Sequence, residues 1–275
     1  MLEPAAGYRL GYRVDTDTER VCVGHVPFRK GRGDFHDCAR SPRPGSRTCE
    51  RCAIAEATLA SNLHHAHTRG MAELDPAVAD HLMQPNRLYV AGFRDGSFKI
   101  GTSTASRLDR RLEEQGAWVA RLVAETRDGM VVRELEDAVT DRLGLAQSVS
   151  ASRKLRGLAA PLDDDELSAR LATHAAAVIA RVVGPAADER LRVTDDSWRH
   201  PMADEPVVRR LIEYPLRMNR GRHDLEVVTA VGRHLVVRRP DGDDLFVLDP
   251  APLFGLWLDI GDHGSDEIAI QDSLF

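Results

Sequence analysis

Residues 88–101 read LYVAGFRDGSFKIG, and this stretch decides the fold. Two apolar runs, 87–93 and 98–101, flank Asp95-Gly96. Asp-Gly turns a hairpin because the turn needs positive φ, which glycine adopts without a Cβ penalty. Downstream, Ser106 is a candidate cap for a helix over 107–115 that Gly116 stops. Residues 118–126 read as a third strand, and Asp128-Gly129 turns the chain into a helix over 131–143. The order is strand, strand, helix, strand, helix. Short alternating strands and helical runs in this arrangement predict an α+β fold.

Side chains of this unit are of the types that act on phosphate esters: Tyr89, Lys99, the pair Arg110-Arg111, and the acids Glu134, Glu136 and Asp137 of the last helix. A carboxylate holds a hard divalent cation, a guanidinium neutralises phosphoryl charge, and a phenol orients or activates water. A free tyrosine ionises near ~10, so base chemistry needs a push, expected here from the charge of Lys99. Each residue also has a plain structural role open to it. Tyr89 can pack in its strand, Lys99 can be a surface cation on the hairpin, and Arg111 can pair with Glu114. Glu134, Glu136 and Asp137 can form a solvated helix face.

The segment resembles the GIY-YIG nuclease fold, with Leu88-Tyr89-Val90 as the first motif and Lys99-Ile100-Gly101 as the second, over about a quarter of the chain. The resemblance implies Tyr89, Lys99, Arg111 and Glu136 as catalytic residues, with Glu136 binding Mg2+ or Mn2+. It implies Gly101, Arg107 and Arg110 at the substrate, which would be DNA or RNA. Arg107 and Arg110 rival Arg111 in register, and Glu134 rivals Glu136. The chain departs from the named motifs: Leu-Tyr-Val lacks the glycine, Lys99 replaces the second tyrosine, and Glu114-Gln115 follow in place of a histidine. A wider stretch, through Arg111-Leu112-Glu113-Glu114-Gln115-Gly116-Ala117 and the upstream cysteines, is similar to bacterial proteins catalogued as domain of unknown function 2797 over roughly the first 160 residues.

Cys22, Cys38, Cys49 and Cys52 are the only cysteines. Four soft ligands in so short a stretch of a chain without a secretion pattern point to a metal rather than to disulfides. The CxxC at Cys49 and Cys52 lets both sulfurs face one ion, and all four complete a tetrahedral zinc site. Such a site leaves no position for water, so the expected zinc is structural. His25 and His36 are reserve ligands, and a redox-active CxxC beside two unrelated thiols is the alternative. Arg40, Arg43, Arg47 and Arg51 beside the cysteines are either phosphate contacts or ordinary loop surface. A helix over 50–70 ends in His64, His65 and His67, which either hold a second metal or favour the helix dipole.

The surrounding chain divides into three expected regions. Residues 1–84 hold strands over 8–24, the zinc-binding segment and helices, the last over 76–83 with Asp75 as cap. Residues 85–160 hold the GIY-YIG-like unit, which runs into a polar stretch at 148–152. Residues 161–275 hold a helix from Asp163 to about Val183, then a small β-sheet or barrel over 214–260 that the N-terminal strands can join.

The formal charge of -6 argues against an indiscriminate polyanion binder, but residues 161–275 carry 13 basic against 22 acidic residues while 88–160 carry 12 against 10. The nuclease-like unit is therefore mildly basic and open to phosphate. Only Lys30, Lys99 and Lys154 are lysines, a bias that a GC-rich genome produces, so arginine abundance is not itself a phosphate-binding signal. No apolar run reaches the ~20 residues of a membrane span, and the start of the chain lacks a basic-then-apolar leader. A cytoplasmic protein is expected. Three functions follow: a metal-dependent nuclease, a non-catalytic nucleic-acid or protein binding module on the same fold, or an enzyme that turns the fold to a small molecule.

Overall fold

A computed structural model describes residues 7–15, 18–26, 28–29, 32–33, 36–64, 66–68 and 76–268. Its first part holds β1 (Tyr8–Val14), the ribbon of β2 (Phe28–Arg29) and β3 (Arg32–Gly33), α1 (Glu50–His64) and α2 (Pro76–Leu82). The central part runs β4 (Asn86–Gly92), β5 (Phe98–Thr104), α3 (Leu108–Gln115), β6 (Val119–Thr126), α4 (Gly129–Leu143), α5 (Ala151–Ala159), α6 (Asp164–Val178) and β7 (Leu191–Arg199). The last holds β8 (Ile212–Glu213), β9 (Gly221–Val231), β10 (His234–Arg238), β11 (Leu245–Leu248) and β12 (Asp259–Ile260).

A four-stranded antiparallel sheet in the order β5-β4-β6-β7 carries the candidate site. Strand alternation divides its two faces. Leu88 and Val90 join the core that α4 and α6 cover with Val132, Leu135, Leu167 and Leu171, whereas Tyr89 and Ala91 pack with Leu108 and Leu112 of α3. The turn at Asp95-Gly96 forms as expected, with Gly96 at φ 78°. Asp128 caps α4, its Oδ1 accepting from the Met130 and Val131 amides at 2.9 and 3.0 Å. That bond satisfies amides which have no partner within the helix.

One local expectation is corrected. Ser106 does not cap α3: residues Ala105–Arg107 form a 3-10 turn, and the helix starts at Leu108 without a side-chain cap. In the polar stretch at 148–152, Ser150 accepts from the Arg153 amide and opens α5. The helix begun by Asp163 runs to Val183, α-helical to Val178 and then a π-turn. Asp75 lies outside the described residues.

The sheets cross the region boundaries drawn at 84/85 and 160/161. β7, read from the sequence as no strand, extends the four-stranded sheet from Leu191 to Arg199. β1 lies inside the six-stranded sheet β12-β1-β9-β10-β11-β8, with Tyr8 to Val14 paired against Val227 to Gly221. The pairing is antiparallel throughout except between β11 and β8. Leu158 of α5 shares one core with Val236 and Val247, so α5 is the seam between the two sheets. Among the described residues, no helix is long and apolar enough to cross a membrane.

Candidate functional site

Tyr89 faces Gly101, and Ala91 faces Lys99, across the β4–β5 ladder. Directly opposed residues share a sheet face, so Lys99 and Gly101 stand beside the tyrosine on the α3 side. A Cβ at Gly101 would lie 2.7 Å from Tyr89 Oη. The phenol lies against the bare glycine, which is the physical reason a side chain is excluded there. Tyr89 is fully buried, and its Oη accepts from Gln115 Nε2 at 2.8 Å. Lys154 of α5 secures that end of α3, donating to the Gln115 carbonyl at 2.8 Å while lying 4.5 Å over the Phe93 ring.

Lys99 is 8% exposed and donates to the Gln147 carbonyl at 3.2 Å. Gln147 is itself held, its Nε2 donating to Asp137 Oδ1 at 2.8 Å, and Asp137 pairs with His67 at 2.9 Å. Burial, reinforced by Arg111 and Lys154, lowers the Lys99 ammonium to about 8. Glu136, 5% exposed, accepts from Arg133 Nη1 at 2.6 Å. Burial raises the Glu136 carboxyl and Arg133 opposes the rise. These two residues are therefore neither a hairpin surface cation nor part of a solvated helix face.

The expected electrostatic push on the tyrosine is corrected. Burial raises the Tyr89 phenol, and the groups that oppose it are the Gln115 hydrogen bond and Arg111 rather than Lys99. The ammonium is the side chain drawn toward neutrality.

Tyr89, Lys99, Gly101, Arg107, Arg111 and Glu136 line one cavity of about 260 Å³, together with His81, Arg133 and Gln147. Lys99, Arg107, Arg111 and Arg133 face the single carboxylate of Glu136, so the cavity is cationic within a chain of charge -6. Arg110 turns outward to Glu114 at 2.9 Å, and Arg107 also reaches Glu114 at 3.4 Å, so Glu114 is engaged by these two rather than by Arg111. Glu134 is exposed and borders a separate depression beside Arg190. Sequence reading had not named Arg133, Gln147 or His81. Arg133 was detectable as a cation one helical turn before Glu136, whereas Gln147 acts on Lys99 through its main chain and carries no side-chain signal.

Cys22, Cys38, Cys49 and Cys52 converge, with their Sγ atoms all within 4.8 Å of one another and no disulfide between them. Four sulfurs at ~2.3 Å from one tetrahedral ion stand ~3.8 Å apart, and Cys38 and Cys49 Sγ are separated by 3.9 Å. The Cys49 and Gly24 amides donate to Cys22 Sγ at 3.1 and 3.4 Å, as suits a thiolate. Four soft donors, three of them buried, fit a metal such as zinc. His25 is not needed as a ligand; its Nδ1 lies 3.3 Å from Cys52 Sγ and its ring 4.9 Å from that of His36. His67 is engaged by Asp137, while His65 and the His64 side chain lie outside the described residues.

A mixed α+β chain with a four-cysteine cluster and a separate cationic cavity is the class that fold and site define. The chain belongs to the family described as protein of unknown function DUF2797, whose profile matches residues 14–219. The match takes in all four cysteines and every residue of the cavity, and it runs past the first 160 residues expected from the sequence. No curated protein and no solved structure matches the chain.

Proposed function

We propose that the cavity is a phosphodiester-cleaving site of GIY-YIG type acting on nucleic acid. The observation that carries this reading is the meeting of Tyr89, Lys99, Arg111 and Glu136 around one cationic cavity, with Gly101 making room for the phenol. Arg111 and Arg107 donate to the non-bridging oxygens of the phosphate and neutralise the charge that grows on them. Tyr89, kept protonated by burial, orients the attacking water. Lys99, lowered to about 8, takes the proton of that water when it is neutral. Mg2+ binds through one or two carboxylates plus substrate phosphate oxygens, and Glu136 offers one such carboxylate. A cation held there supplies Lewis-acid polarisation of the phosphate. The cysteine cluster holds a structural zinc that orders residues 22–52.

One observation favours a second reading, binding without cleavage: the Glu136 carboxylate is engaged by Arg133 at 2.6 Å. A cleavage assay separates the two. Single-stranded and duplex DNA and RNA are incubated with Mg2+ and wild-type protein or the Glu136→Ala variant. Mg2+-dependent cleavage lost in the variant supports the nuclease, and salt-dependent binding with no cleavage by either protein supports the binding module.

A further inference from the structure

The surface between the cysteine segment and the loop before β12 is absorbed neither by the cavity nor by the metal cluster. Val21 donates to the Gly255 carbonyl at 2.7 Å, and Arg20 donates to the carbonyls of Phe254 and Pro252 at 2.7 and 2.8 Å. Gly255 sits at φ 79°, and a Cβ there would stand 2.3 Å from the Val21 carbonyl oxygen, so the two segments are in close main-chain contact. On this platform the Arg47 guanidinium lies 5.5 Å from the Phe254 ring centroid. Phe254 is 47% exposed and Trp257, three residues on, is 71% exposed. Arg20, Arg43 and Arg47 border an open groove with Pro252 and a single acid, Glu19.

Many exposed arginines elsewhere sit on carboxylates, as Arg9 does on Asp224, Arg190 on Asp188 and Arg199 on Asp204. Others, such as Arg127, Arg142, Arg156 and Arg181, are exposed without an ion pair among the described residues, but here four fall within one short segment. Arg40, Arg43, Arg47 and Arg51 are exposed, and none has a carboxylate partner among the described residues. An unneutralised guanidinium at one exposed ring, with further exposed arginines on its segment and a second exposed ring three residues along the other, matches a strand whose phosphates take the charge and whose bases stack. A duplex, with its bases already stacked, would leave the rings without partners.

We infer that this arginine and aromatic surface is a second contact for single-stranded nucleic acid, remote from the cavity. The inference rests on the proposed nucleic-acid function. α1 joins the two places: it starts beside Cys49, and the turn after it carries His67, which pairs with Asp137 next to Glu136. Fifteen helical residues span ~22 Å at 1.5 Å per residue. At 3.4 Å per nucleotide, a strand of about seven nucleotides bridges that length.

The test is binding of labelled oligothymidylate and oligouridylate of 4 and 12 nucleotides by fluorescence anisotropy, without Mg2+, over a salt series. The 12-mer is expected to bind more tightly than the 4-mer. For the 12-mer, Arg43→Gln with Arg47→Gln is expected to reduce the slope of log K against log salt by about 1.4, at ~0.7 per single-strand phosphate contact. Trp257→Ala, away from the cysteines, is expected to weaken it at least about fivefold. The DNA and RNA arms tell which strand is preferred. Unchanged affinity and slope in both variants overturn the inference, as does absence of binding by the wild type or displacement by polyglutamate at lower concentration than by oligonucleotide, which would mark an acidic protein partner. Hydrolysis of bis(4-nitrophenyl) phosphate, small enough to need the cavity alone, is measured separately in the presence of Mg2+. Its absence while 12-mer binding and the variant effects persist overturns the cleavage reading and leaves this surface standing.

Discussion

Lys99→Met should make the protein more stable at neutral pH while removing the proposed cleavage activity. An ammonium that is 8% exposed is held at about 8, against 10.5 for the free side chain. That lowering corresponds to on the order of 3 kcal/mol of folding free energy lost by keeping the charge in the cavity wall. Methionine has similar length and no charge, and it gives up the long charged bond to the Gln147 carbonyl, which contributes about 1.5 kcal/mol. The expected net gain is about 1.5 kcal/mol, or roughly 3–6 °C in melting temperature for a chain of this size. The pH dependence carries the diagnosis. Below about 8 the lysine is charged in both folded and unfolded chains, and its burial cost is present in full. Between there and 10.5 the unfolded chain binds more protons, so wild-type stability rises with pH through this group. The advantage of the methionine variant should therefore be largest at pH 7 and shrink as pH approaches 10. Urea unfolding at both pH values measures it. A variant less stable than wild type at pH 7, or an advantage that is the same at both pH values, would refute the reasoning.

Three further outcomes are expected. Gly101→Ala places a Cβ 2.7 Å from the Tyr89 hydroxyl, so urea unfolding should register a loss of about 1–3 kcal/mol from overpacking. Elemental analysis should find one zinc per chain, and Cys49→Ser or chelation should lower both metal content and melting temperature, because binding to a site formed on folding stabilises the fold. On the proposed cleavage reading, in which the neutral amine is the base, the rate should rise tenfold per pH unit and level off near the Lys99 value of about 8; a rate that is flat from pH 6 to 9 would exclude Lys99 as the base.

The features legible in the sequence are those fixed by local chemistry. Asp95-Gly96 announces the β4–β5 hairpin, Gly116 at φ 68° ends α3, and Asp128 caps α4. The four cysteines likewise announce their cluster by type and spacing. What escaped depends on tertiary surroundings. β7 reads LRVTDDSWR, with Asp195 and Asp196 at its middle; it is a strand because β6 offers a ladder, not because its own pattern is apolar. The start of α5 was hidden in a serine-rich stretch that looks like loop, although Ser150 is its cap. At the site, residue types and register were readable, but the direction of the electrostatics was not. Burial outweighs nearby charge at Tyr89, and burial is a property of the folded sheet.

The position of β1 has a consequence for synthesis. Its partner β9 begins at Gly221, beyond the whole cysteine segment and the cavity-bearing sheet. At about 5–20 residues per second, a ribosome needs ~10–40 s after Val14 to produce that partner. For this interval Tyr12 and Val14, which end up buried, wait without their neighbours. A strand made before the cavity-bearing sheet is thus paired only after it, and deleting it should harm yield from a nascent chain more than it perturbs a cavity built wholly from later residues.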